Sequence, residues 1–207
     1  MKLASVKVEK SLKAGNSRLV RVDFSGGLSF LFPTDYLDEN VNLDLWEEGL
    51  ELSPPEEEAM RFAAACYRAE KAALRLIARA EQSSFGLKVK LERKGFDASV
   101  ARMVISRLLD RKLLDENRFA ELWIRSRLGG KAPTPLWFLV SLGKRGIDRD
   151  VSKKAIRCVL DDETEYTLLL NYLTKMDIFQ EAPGIIKMRL KHEGFSADVI
   201  NRFFDSQ

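Results

Sequence analysis

Polar and apolar residues alternate along positions 4–10 and again along 18–24, and a short, mostly apolar run follows at 28–32. The alternation has the period of strands with one buried face. Gly15-Asn16-Ser17 and Ser25-Gly26-Gly27 separate these stretches as turns, and Pro33 stops the third. Three short strands with tight turns predict a small antiparallel β-meander, too small to fold alone, which must pack on another part of the chain. After Ser53-Pro54-Pro55 the period changes. Glu56, Glu57 and Glu58 supply an acidic first helical turn, and over residues 59–82 apolar side chains such as Phe62, Cys66, Ala69, Ala73 and Ile77 recur at helical spacing. Everything beyond reads helical, which makes positions 53–58 the expected linker.

Superposing three glycines exposes an internal repeat. The segments are Leu91-Glu92-Arg93-Lys94-Gly95-Phe96, Leu142-Gly143-Lys144-Arg145-Gly146-Ile147 and Leu190-Lys191-His192-Glu193-Gly194-Phe195. Each has leucine four residues before the glycine and a large apolar residue directly after it. Asp97, Asp148 and Ser196 follow as N-caps. Val100, Val151 and Val199 come next, then the pairs Val104-Ile105, Ala155-Ile156 and Phe203-Phe204, all on one helical face. Each unit therefore reads as a helix stopped by a left-handed glycine and restarted as a freshly capped helix. The glycine spacings of 51 and 48 residues leave room for a third helix per unit.

The predicted fold is mainly α: tandem three-helix repeats in an elongated right-handed array, preceded by the small antiparallel β-meander. The expected boundaries are a β-rich domain at 1–53, a linking helix at 54–71, and repeats at 72–116, 117–163 and 164–207.

Of the 207 residues 45% are hydrophobic and 31% charged, a soluble globular composition that excludes a largely disordered chain. No apolar run reaches the length of a membrane span and residues 1–7 lack a signal-peptide block, so the chain reads as cytoplasmic. His192 is the sole histidine; Cys66 and Cys158 lie far apart in helix-like segments, where both are expected as buried free thiols. With no phosphate-binding glycine loop, no nucleophile–base pair and no metal-ligand spacing, the expectation is no catalytic residue, no metal and no cofactor.

The formal net charge of +3 is unevenly placed, at −3 over 1–55, +4 over 56–115, +3 over 116–163 and −1 over 164–207. A polyanion is therefore expected at the middle of the chain. There Lys88, Lys90, Arg93, Lys94, Arg102, Arg107, Arg111 and Lys112 form a basic run. Arg125, Arg127, Lys131, Lys144, Arg145, Arg149, Lys153 and Lys154 repeat it one module later. Several lie three or four residues apart, so they share helix faces that either meet phosphates or an acidic protein groove, or are simply solvated. Phe119, Trp123 and Ile124 read as core rather than as base-stacking residues, Asp115 as a helix cap, and residues 161–165 as an acidic solvated loop.

Several strings resemble the RecX family of bacterial recombination regulators. They are Ala73-Leu74-Arg75-Leu76-Ile77-Ala78-Arg79, the first glycine segment, and Leu114-Asp115-Glu116-Asn117-Arg118-Phe119-Ala120. Trp123-Ile124-Arg125-Ser126-Arg127 and Lys144-Arg145-Gly146-Ile147 complete the match, which is good over 72–160 and looser over 161–207. In that family motif Leu114, Asp115, Glu116, Arg118, Phe119 and Ala120 are mainly structural.

The resemblance implies a monomeric, non-enzymatic regulatory protein of DNA recombination, repair and the SOS response. Such a protein binds RecA and the RecA filament on single-stranded DNA, restrains ATPase and strand exchange, and touches nucleic acid directly with weak to moderate affinity. A helix-turn-helix-like DNA-binding regulator acting without RecA is the alternative, although no recognition helix rich in base-reading residues is evident. Two departures from the family pattern stand out. Ser83 is followed at the third position by Gly86 instead of the capping glutamate. The segment Pro135-Leu136-Trp137-Phe138-Leu139-Val140-Ser141-Leu142 is apolar on nearly every face, where relatives carry a glycine and arginines. It is expected either in the core or as a sticky surface for a protein partner.

Overall fold

The computed structural model describes residues 2–11, 18–38 and 40–206; the expected turn at Gly15-Asn16-Ser17 lies outside the described residues. It is mainly helical with a three-stranded antiparallel sheet. The chain divides into two compact units, Met1–Arg79 with Leu87–Arg111, and Ala80–Gly86 with Lys112–Gln207.

The first unit opens with β1 (Leu3–Ser11), β2 (Arg18–Phe24) and β3 (Ser29–Pro33) in the order β1-β2-β3. Alternation gives the sheet its inner face: Val20, Val22, Phe24 and Phe32 are buried, with Val20 opposite Phe32 across the β2–β3 pair. A single 3₁₀ turn at Thr34–Tyr36 follows. Backbone bonds from Leu3 N–H to the Leu50 carbonyl and from Gly49 N–H to the Leu3 carbonyl tie the chain just ahead of α1 to the first strand.

Helix α1 (Pro54–Ile77) starts at once, so residues 53–58 are its cap and first turns. The Glu56 carboxylate accepts the Ser53 N–H at 2.9 Å and the Ser53 hydroxyl at 2.6 Å, which holds its pKa below the ordinary value. The helix packs on β3 and on α3 (Ala98–Asp110) through Ala63, Cys66, Ala69 and Ala73, all fully buried and small enough for close approach. Between α1 and α3 in sequence lies α2 (Ser84–Arg93), and the division between the units falls inside it.

The second unit holds α4 (Glu116–Arg125), α5 (Pro135–Gly143), α6 (Arg149–Val159), α7 (Asp162–Met176), α8 (Pro183–His192) and α9 (Ala197–Asp205). Both α4 and α5 pack on α6, and α9 on α7 and α8. Ile124, Phe138, Leu142, Leu169, Leu173, Leu190 and Ile200 fill one core.

All three glycines of the repeat end their helices in the left-handed conformation, with φ of 86° at Gly95, 78° at Gly146 and 85° at Gly194. The next residue's N–H returns to the leucine carbonyl five positions back in each case: Phe96 to Leu91, Ile147 to Leu142, Phe195 to Leu190. With the glycine N–H bonded three residues back, these are Schellman ends. Asp148 and Ser196 then cap α6 and α9 with their side-chain oxygens as expected, whereas Asp97 holds the N-cap position of α3 without a side-chain hydrogen bond.

Two expectations are corrected. Residues 161–165 are not a loop: Asp161 caps α7 by accepting the Thr164 N–H, and Glu165 is buried because it accepts the Ser196 N–H at the start of α9, 2.6 Å away. Cys66 is buried, and burial, with the nearby Glu70 charge, pushes its thiol up to about 12. Cys158, however, is exposed, because it falls at the edge of the buried stripe that Ser152, Ala155 and Val159 set on α6. At the start of α2, which lacks the capping glutamate, a distant carboxylate takes a different donor. Ser83 Oγ accepts the Gly86 N–H, while Glu116 of α4 accepts the Ser84 N–H at 2.8 Å. One carboxylate thereby satisfies a helix-end donor across 32 residues of sequence.

Candidate functional site

The basic run separates into cations that the protein neutralises itself and cations left open to solvent. Arg107 pairs with Asp35 and lies 4.5 Å from the Tyr36 ring centre. Arg111 donates to Glu70 at 2.7 Å, and Glu70 also accepts the Tyr36 hydroxyl at 3.0 Å. The Tyr36 hydroxyl titrates well above its ordinary value, through burial and then the Glu70 charge. These two arginines therefore clamp the 3₁₀ turn after the sheet to α1 and α3. Lys88 sits 3.8 Å from Glu92 one turn on, and Lys112 takes a left-handed φ of 54° at the turn after α3.

Arg93, Lys94 and Arg102 are exposed and have no acidic partner among the described residues, and Lys90 is exposed beside them on α2. Arg93 and Lys94 occupy the end of α2, where the helix dipole favours positive charge. In the second unit Arg125, Arg127, Lys131, Lys144, Arg149, Lys153 and Lys154 are exposed. Arg149 and Lys153, with Arg157 one turn further, form a row along α6. Arg145 differs: it is half-buried, its guanidinium lies 4.3 Å from the Trp123 ring centre, and it donates to the Ser141 carbonyl at 2.8 Å.

The motif around residue 115 is internal scaffolding of this unit. Asp115 accepts the Arg118 N–H, Arg118 pairs with Glu81 at 2.7 Å, and Leu114 and Ala120 are buried. Phe119 and Trp123 are half-buried against the core and Ile124 is inside it. Among the described residues, no group of His, Cys, Asp and Glu has the arrangement of a metal site, and no helix is long and apolar enough to cross a membrane.

The apolar stretch at 135–142 is split between the core and an exposed side. Thr134 Oγ accepts the Trp137 N–H as N-cap, Pro135 occupies the first turn, and Pro135, Phe138 and Leu142 face the core. Trp137 and Val140 are 45% and 49% exposed on the other side. Trp137 borders a cleft of about 550 Å³ lined also by Arg127, Lys131, Tyr172, Lys175 and Glu193. The sequence reading missed this gathering. Lys175 lies 44 residues from Lys131, whose carbonyl it binds at 2.9 Å, and no local pattern announces that meeting.

Residues 69–108, from the second half of α1 through α3, match the model of the RecX first three-helix domain. The regulatory protein RecX of Treponema pallidum (strain Nichols) is 32% identical over 144 residues, covering 70% of this chain and 88% of that protein. Among solved structures, a crystal structure of regulatory protein RecX aligns with a TM-score of 0.66 at 17% identity, covering 99% of this chain and 98% of the other. RecX from Lactobacillus salivarius aligns at 0.54 and 20% identity over 69% of this chain and 96% of its own. Glycine-stopped helices, the capped motif at 114–120 and a relative matched over most of its length lead to one conclusion: this chain belongs to the RecX family of regulatory proteins.

Proposed function

We propose that this chain binds RecA and the RecA filament on single-stranded DNA and restrains its ATP hydrolysis and strand exchange, without chemistry of its own. The observation that supports this reading best is the set of open cations on α2, α3 and α6, namely Arg93, Lys94, Arg102, Arg149, Lys153 and Lys154. Unmatched charges spaced along helices suit a polyanionic filament or an acidic protein groove. We take residues 72–116, 117–163 and 164–207 as the three-helix modules that present them. Arg107 and Arg111 support the fold of the first unit, and Arg145 braces Trp123.

The test is RecA's single-stranded-DNA-dependent ATP hydrolysis with this protein at near-stoichiometric amounts. Hydrolysis slows, and the variant with Arg93, Lys94, Arg149 and Lys153 all changed to Ala inhibits less and shows a flatter dependence on salt. Unchanged hydrolysis at saturating protein sinks the proposal. Sequence-dependent binding of duplex DNA without RecA would instead make it a self-sufficient DNA-binding regulator.

A further inference from the structure

Trp137 combines exposure with fixed orientation. Its ring stacks on Trp123 at 5.6 Å with 23° between the planes, and Phe138 meets both rings edge-on at 5.3 and 6.2 Å. Such packing leaves the indole little freedom, yet 45% of the residue is open. Exposing so much of a rigid aromatic surface is unfavourable in water unless something covers it.

The surroundings say what kind of molecule does so. Arg127, Lys131 and Lys175 bring three positive charges to the same cleft, and the one carboxylate there, Glu193, is engaged by the Thr134 hydroxyl at 2.8 Å. Lys175 fixes the loop through the Lys131 carbonyl and keeps further ammonium protons for a ligand. Excess positive charge selects an anion, and a flat π surface beside it selects an anion that carries a ring. An acidic peptide without an apolar or aromatic side chain would satisfy the cations and leave the indole bare.

We infer that this cleft takes a nucleotide unit of single-stranded DNA, with the base against the open part of Trp137 and the flanking phosphates at Arg127, Lys131 and Lys175. A duplex keeps its bases stacked on one another and offers no free ring. The inference deepens the filament reading, which supplies the strand, but its test omits RecA, so either can fail alone.

Full-length protein is titrated with an oligo-dT strand, following tryptophan emission and the anisotropy of a labelled strand. Wild type binds with quenched emission. Trp137→Leu keeps its thermal transition, loses the quench and binds about tenfold more weakly, while Trp137→Phe falls between. Lys131→Ala and Lys175→Ala, which leave the indole in place, each lower the salt slope by about 0.7. No binding by wild type, equal binding by Trp137→Leu, or equal affinity for an abasic strand overturns the inference. So does displacement of oligo-dT by polyglutamate at equal charge concentration, which would give the cleft to an acidic protein segment.

Discussion

Two places, one in each unit, put the same residue types to opposite uses. In the first, Arg107 and Arg111 turn inward onto Asp35, Tyr36 and Glu70, and the groove beside Tyr36 is lined by Asp35, Asp38 and Glu58. In the second, Arg127, Lys131 and Lys175 converge on a cleft with a single carboxylate. Arginines spaced along a helix thus have two fates, decided by whether a neighbouring element presents an acid. Where α1 offers Glu70, whose side chain is only 8% exposed, the arginine becomes part of the fold. Where the cleft offers Arg127, Lys131 and Lys175 no acid but Glu193, the charges stay available for a ligand.

The contrast is broken most forcefully at the glycine stops. Gly146→Ala adds a Cβ at positive φ that also collides with Phe85, whose Cγ would lie 2.9 Å away. Gly95→Ala carries the same conformational cost but meets nothing within 4 Å. Thermal or urea unfolding should show a loss of about 3 kcal/mol or more for Gly146→Ala and about 1–2 for Gly95→Ala. Equal losses would mean that the second stop is no more crowded than the first.

A smaller effect separates the arginines. Arg111→Ala leaves the Glu70 carboxylate with only the Tyr36 hydroxyl and should cost about 2 kcal/mol, moderated because Arg111 itself is 41% exposed. Arg149→Ala should change stability by less than about 0.5 kcal/mol and show its effect in filament binding instead. A similar cost for both would erase the distinction between structural and open cations.

The smallest perturbation is chemical. At pH 8 a thiol-reactive dye should label Cys158 at once, while Cys66, buried on α1 and neutral because its thiol is pushed up to about 12, reacts only on unfolding. Rapid labelling of both would show that the first unit opens readily around α1.

Much of the architecture was written in local pattern. Strand alternation, the switch to helical period after Ser53, the glycine stops and the caps at Asp148 and Ser196 all rest on contacts within a few residues, which sequence spacing encodes directly. The separation of the cations was not legible there, because Arg107 and Arg149 carry the same charge and differ only in which distant side chain meets them. Glu116 at the Ser84 N–H, Glu165 at the Ser196 N–H and Lys175 at the Lys131 carbonyl are likewise bonds across tens of residues. The order of elements was thus determined by the sequence alone, whereas the tertiary structure decided which charges are paired and which stay open, since hydrogen bonds and ion pairs depend on proximity in space.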